Sequence, residues 1–200
     1  MEENFLKIYE KIVDMANIAL EMWHDTHKAF MEHNRTIVNK VLDNENKVNL
    51  LEKDITFDLI NLAKLLDESG KAKLIVYTDI VEDLELIADY CKDILERIEI
   101  KIEENLLFSE DAVFEYNQFY EKTTQYLKNI VDALSKKTYN LDLDFDLTTD
   151  VESLRQSHKT RLLNGKCNPL ASNMFLNIVD FTFAVFEHTK RIALNLTKLK

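Results

Sequence analysis

Two glycines, Gly70 and Gly165, and one proline, Pro169, are all that this 200-residue chain has to make tight turns and break helices. Ordinary usage is about 7% glycine and 5% proline. A chain so short of turn residues, and rich in Leu, Ile, Lys, Glu and Ala, has to run as a few long helices with few connections. Apolar residues recur at helical spacing in six segments. The first, 3–42, carries Phe5, Ile8, Ile12, Met15, Ala19, Met22, Trp23, Phe30 and Ile37 on one face. The second, 45–68, carries Val48, Leu51, Ile55, Leu59, Leu62 and Leu66 and is read as closing at Ser69-Gly70, where glycine takes up a left-handed conformation easily.

The third segment, 72–106, carries Ile80, Leu84, Ile87, Cys91, Leu95, Ile98 and Ile102. Ser109, followed by Glu110 and Asp111, reads as the N-cap of a fourth helix, 110–137, because acidic residues favour a helix's first turn. A fifth helix, 149–163, ends at Asn164-Gly165, and a sixth, 170–198, follows Pro169. L-D-L-D-F-D-L at 141–147 alternates like a strand but finds no second strand to pair with, so it is read as an extended connection. The aromatic series Phe114, Tyr116, Phe119, Tyr120 and Tyr126 has helical spacing and is assigned to core and helix seam, any member left exposed marking a partner surface.

The six helices divide into two sets of three, and the sets echo each other. Val48-Asn49-Leu50-Leu51 lines up with Val151-Glu152-Ser153-Leu154, and Glu82, Asp89 and Ile94 line up with Asp180, Glu187 and Ile192. The expected architecture is all-α: one domain of two tandem three-helix bundles, a first repeat over 1–107 and a degenerate second over 109–200.

A net charge of -11 argues against nucleic acid and against adsorption to anionic lipid, since like charges repel. No uninterrupted apolar run reaches the roughly 18 residues of a membrane span. MEENFLKIYE is acidic and lacks the apolar core of a signal peptide, so a cytoplasmic location is expected. Cys91 falls on an apolar helix face and, with Cys167, makes no disulfide framework. Two isolated glycines exclude a glycine-rich phosphate loop. Glu21-Met22-Trp23-His24 is a Glu-x-x-His unit, but a di-iron site needs two, and the chain has no second. His24 and His27 lie three apart, a spacing read as polar surface sooner than as a metal pair; His158 and His188 have no partner by spacing.

The third segment carries the most chemistry. At about 100° per residue, Glu82, Glu85, Asp89, Asp93 and Glu96 fall within an arc of roughly 80°, opposite its apolar residues. Such neighbours repel one another by a few tenths of a kcal/mol per i,i+4 pair. A hard cation between them would reverse the sign, because it takes several carboxylate oxygens. Lys92 and Arg97 flank the row, and Glu45, Asn49 and Glu52 share a face of the second helix that could reach it. Spacing alone favours a solvated face over a metal site.

The residue pattern adds to this. V-E-D-L-E-L-I-A-D-Y-C-K-D-I-L-E resembles the third-helix signature of the PhoU family, D-L-E-R-I-G-D-H-A-x-N-I-A-E. Asp83-Leu84-Glu85 stands at its opening, Ile87 at its isoleucine and Asp89 at its central aspartate. Asp93-Ile94 stands for Asn-Ile and Glu96 for the closing glutamate. V-N-L-L-E-K-D-I at 48–55 is similar to the family's V-D-x-L-E-x-E-I, with Asn49 in place of the aspartate. The second half departs from the signature: Phe183 stands for the glutamate, Glu187-His188 for Asp-His and Arg191 for the asparagine.

The resemblance implies the six-helix fold just deduced and a non-catalytic role in regulating or accompanying phosphate transport. It implies docking on a phosphate transporter or its cytoplasmic components at the inner face of the membrane, and a second copy of the chain as a further partner. It also implies a di- or trivalent metal of the iron, zinc, nickel or manganese class at Glu85, Asp89, Asp93, Glu82 and Glu52, with a site retained in the first half and lost in the second. The looser motifs are more similar to the domains attached to sodium–phosphate cotransporters than to stand-alone regulators. A metal-free interaction module with an acidic docking face is the alternative, and a metal-dependent oxidase or hydrolase is disfavoured by its missing ligands.

Overall fold

The computed structural model of the chain describes residues 2–32, 35–139 and 141–199. Six helices account for almost all of it: α1 (Glu2–Glu32), α2 (Arg35–Ala63), α3 (Glu68–Glu103), α4 (Glu110–Lys136), α5 (Thr148–Leu163) and α6 (Pro169–Thr197). Helices α1, α2 and α3 pack on one another as one bundle, and α4, α5 and α6 as a second. The most extensive contact between the bundles is α3 against α6, supported by α1 against α4.

Ring contacts fix the directions. Phe5 meets Tyr77 near the starts of α1 and α3, and Lys101 near the end of α3 lies over Phe30 near the end of α1. The two helices therefore run parallel, with α2 returning between them. Phe175, early in α6, meets Phe108 just beyond α3, so α6 runs antiparallel to α3. One contiguous apolar core passes through both bundles, from Ile8, Ile12 and Trp23 to Phe175, Phe186 and Leu196.

Two local expectations are revised. The 3–42 stretch is two helices: α1 ends at Glu32 and α2 begins at Arg35, which moves Ile37 into α2, and positions 33–34 lie outside the described residues. Gly70 closes nothing. Helix α2 stops at Ala63, and Asp67 caps α3, its Oδ1 accepting the Gly70 N–H at 2.8 Å. A Cβ at position 70 would sit 3.0 Å from Leu66 Cβ, a tight contact to which Leu66 would have to yield. Gly165, by contrast, has φ +66° and ends α5 as expected.

Helix α6 passes the length and composition test for a membrane span, with mean hydropathy 1.3 over its most apolar 18 residues, although Asp180 and Glu187 interrupt its apolar run. Half of that window is buried against the neighbouring helices, as in the core helix of a folded domain. Ser109 caps α4, its Oγ accepting the Ala112 N–H, and Asn168 caps α6 ahead of Pro169. The 141–147 stretch forms no strand. Its alternation lays Leu141, Leu143, Phe145 and Leu147 on the core while Asp142, Asp144 and Asp146 face water.

Candidate acidic site between α2 and α3

Helix α3 is long enough to bury one face and wet the other over its middle turns. Ile80, Leu84, Ile87, Cys91, Ile94, Leu95 and Ile98 are fully buried. On the other side Glu82 and Glu96 are exposed, while Glu85, Asp89 and Asp93 are half-buried. Helix α2 adds Glu52 and Asn49, half-buried, and Glu45, which is only 6% exposed.

The charge here is poorly balanced. Lys92 Nζ donates to Glu45 Oε1 at 2.9 Å, and Asn49 Nδ2 donates to the same oxygen at 3.0 Å. Among the described residues Glu52, Glu85, Asp89 and Asp93 make no ion pair. Partial burial raises the Glu85 carboxyl above its ordinary value, and the charges of Asp89, Glu52 and Glu45 raise it further against Lys92. Asp89 is raised in the same way, by burial and then by Glu45 and Asp93, with Lys92 opposing. Asp93 is raised by burial and by Glu96. Asn49 Oδ1 is buried without a hydrogen-bond partner.

Of the five residues expected to ligate, Glu85, Asp89 and Glu52 thus share one electrostatic neighbourhood, with Glu45 as an added member. Asp93 couples chiefly to Glu96, and Glu82 stands out in solvent. The donors are hard oxygens, which fit a di- or trivalent cation. Among the described residues, however, no three His, Cys, Asp or Glu side chains converge as they stand into a metal centre.

The histidines read from spacing go elsewhere. His27 is not polar surface: it stacks on Tyr120 with centroids 3.7 Å apart and pairs with Asn117 Oδ1 at 2.9 Å, and burial lowers its pKa. His24 is exposed. His158 Nε2 pairs with Ser172 Oγ at 2.8 Å against the ring of Phe175. Cys91 lies in the core as expected, and burial pushes its thiol up.

Asp83 was missed as a site residue. Its side chain is fully buried at the α3–α6 seam, where Oδ1 meets His188 Nδ1 at 2.8 Å and Arg191 Nε at 3.3 Å. Oδ2 has no partner. The signal was present in the sequence, because Asp83 lies three residues after Ile80 and four before Ile87, on the apolar face. Farther along the seam Tyr90 meets the ring of Phe181 at 5.9 Å. In the correspondence of the halves expected from the sequence, Asp83 would match Phe181 and Tyr90 would match His188. Of these two seam contacts one is polar and the other aromatic.

Comparison with known proteins bears on this geometry. The PhoU domain model matches residues 12–98, which include the α2/α3 face from Glu45 to Glu96. Over that span the chain is similar to the PhoU domain. Likeness in fold extends over the whole chain. PhoU from Pseudomonas aeruginosa superposes with a TM-score of 0.90 at 14% identity, covering 99% of this chain and 97% of that one. The phosphate transport system regulatory protein PhoU from Streptococcus pneumoniae gives 0.83 at 14% identity, covering 99% and 95%. A putative PhoU-like phosphate regulatory protein from Shewanella oneidensis MR-1 gives 0.57 at 15% identity, covering 96% and 95%. No curated protein matches the sequence. The PhoU fold therefore accounts for all six helices, and the α2/α3 carboxylates lie within the matched domain.

Proposed function

We propose that this protein is a non-catalytic, PhoU-like regulator or accessory unit of phosphate transport, working in the cytoplasm at the inner face of the membrane. It docks on a phosphate transporter or its cytoplasmic components, and the α2/α3 face is its contact. The two three-helix bundles are repeats of one unit, the second degenerate. The observation that carries this reading is the set of half-buried, unpaired carboxylates at Glu52, Glu85 and Asp89, inside the segment that matches the PhoU domain. Support for the process comes from the Streptococcus pneumoniae relative, which is a regulatory protein of a phosphate transport system.

A carboxylate row whose proton affinity is raised by partial burial and then by its own charges is an incomplete arrangement that a positive charge completes. Glu85, Asp89 and Glu52 would hold a di- or trivalent cation, with Asp93 and Glu82 as outer members and the unpartnered Asn49 Oδ1 as a neutral oxygen. The cation would supply charge neutralisation. The residues' own part is to present hard oxygens from two helices, so that occupancy ties α2 to α3.

A metal-free version has its own support. Lys92 already reaches across to Glu45, so lysine or arginine side chains of a partner could complete the row in the same way. Two measurements separate these readings. Protein purified without chelator is expected to retain metal by elemental analysis and to lose it in Glu85→Ala/Asp89→Ala; the same low metal content in both would remove the cation and leave the basic partner. For the process, cells lacking this protein, or carrying only the double variant, are expected to show altered phosphate uptake between phosphate-poor and phosphate-rich medium. Unchanged uptake in the deletion would overturn the reading.

A further inference from the structure

The two acidic faces differ in where their balancing charge comes from. In the ordered correspondence of the halves, Glu52 on α2 matches Arg155 on α5, Glu82 matches Asp180, and Glu85 matches Phe183. Arg155 Nε and Nη2 both donate to Asp180 Oδ1, at 2.8 and 2.6 Å, and Nη1 pairs with Glu152. The guanidinium also lies over the Phe183 ring, 5.9 Å from its centroid. Arg191 turns away across the seam to Asp83, and Lys190 Nζ lies 3.8 Å from Asp146.

We infer that Arg155 is a built-in counter-ion that closes the α5/α6 face to external cations, leaving the α2/α3 face as the one that recruits them. A guanidinium is charged at every physiological pH and grips carboxylates through a fixed fork of donors. Once it holds Asp180 and Glu152, an arriving cation meets a resident positive charge, and Phe183 offers it no oxygen where Glu85 would. On α2/α3 the matching position holds a carboxylate, so the same backbone arrangement is left in need of a cation. Arg155 thus decides which of two similar faces is open. The inference takes from the proposed function only the idea that the recruited charge is a metal cation.

The probe is Mn2+, followed by the loss of the free-ion EPR signal and by thermal melting. In the Glu85→Ala/Asp89→Ala background, Arg155→Glu with Phe183→Glu is expected to install Mn2+ binding and a rise in Tm of roughly 2–4 °C on adding the ion. A variant that keeps its helical circular dichroism but gains neither overturns the inference. The reciprocal change, Glu52→Arg in the otherwise native chain, places the guanidinium on the open face. It is expected to raise Tm in chelator and to abolish any Mn2+-dependent rise; a lower Tm in chelator, or an undiminished Mn2+ response, overturns the inference. If the native chain takes up no Mn2+ while the Arg155 variant does, Arg155 is still the group that closes the α5/α6 face, but the claim that α2/α3 recruits the cation is overturned together with the metal reading of that face.

Discussion

Asp83 and Asp89 lie less than two turns apart on one helix, yet their surroundings demand opposite treatment. Asp83 is out of water and held by His188 and Arg191, with one oxygen unpartnered. Removing one partner of a buried polar pair costs more than removing both, because the remaining group keeps its desolvation penalty. His188→Ala is therefore expected to lower unfolding free energy by about 1–3 kcal/mol. Adding Asp83→Asn to His188→Ala is expected to recover part of that loss. A urea-unfolding double-mutant cycle reads the coupling, and additive losses would show that the contact carries none. Asp89, Glu85 and Asp93 instead have their carboxyls raised, by partial burial and then by their neighbours' charges. A carboxyl raised in the folded state binds protons more tightly there than in the unfolded chain. These groups thus weaken the fold at neutral pH, and that penalty is relieved as pH falls through their raised range toward the ordinary carboxylate values. In chelator, Glu85→Gln/Asp89→Asn is expected to stabilise the protein at pH 7 by a few tenths of a kcal/mol for each like-charged neighbour removed. It should also flatten the dependence of Tm on pH between 7 and about 4. An unaltered pH profile would mean that the row is already neutralised.

Among the elements, helices were legible in the sequence because apolar spacing and end signals agreed. Ser109, Asn168-Pro169 and Gly165 each do what their residue type announces. The failures have physical reasons. No glycine or proline marks the α1/α2 junction, and apolar spacing continues across it, so periodicity alone joined the two helices. Gly70 was misread because glycine serves two needs, a left-handed backbone or a missing Cβ, and the sequence does not say which. The two needs give different substitution costs. Gly165→Ala forces an L-residue to φ +66°, a loss of about 1–2 kcal/mol. Gly70→Ala gains helix propensity of up to about 1 kcal/mol and sets that against the 3.0 Å approach to Leu66 Cβ, so it is expected to destabilise less. Paired thermal melts decide it, and a larger loss at Gly70 would show that Leu66 cannot give way. The site was legible to the same degree. The carboxylate stripe and its α2 neighbours could be read from spacing, but Arg155's grip on Asp180 and the burial of Asp83 depend on which helix packs beside which.

For the whole molecule the decisive question is whether two similar bundles behave as one body. Their apolar cores are continuous, and the α3–α6 seam carries polar and aromatic contacts across the boundary. A second tie is Trp23 on α1, which stacks on Tyr120 of α4 at 4.9 Å and donates from Nε1 to Thr124 Oγ1 at 2.7 Å. Splitting the bundles would expose that ring and break the Asp83–His188 contact, and each large apolar side chain returned to water costs about 1.5–3 kcal/mol. Unfolding is therefore expected to be a single transition, in which Trp23 fluorescence, a probe of the contact between halves, coincides with far-ultraviolet circular dichroism, a probe of all six helices. Ile87→Ala removes buried volume in α3 and is expected to cost about 2–5 kcal/mol. It should move both probes together to lower urea, because loss in one bundle is shared through the seam. If the fluorescence change came first and left a helical plateau, the bundles would be separable. A cation bound at α2/α3 would then stiffen only its own half. Coincident curves mean that a change in stability at Glu85 and Asp89 is shared by α5 and α6.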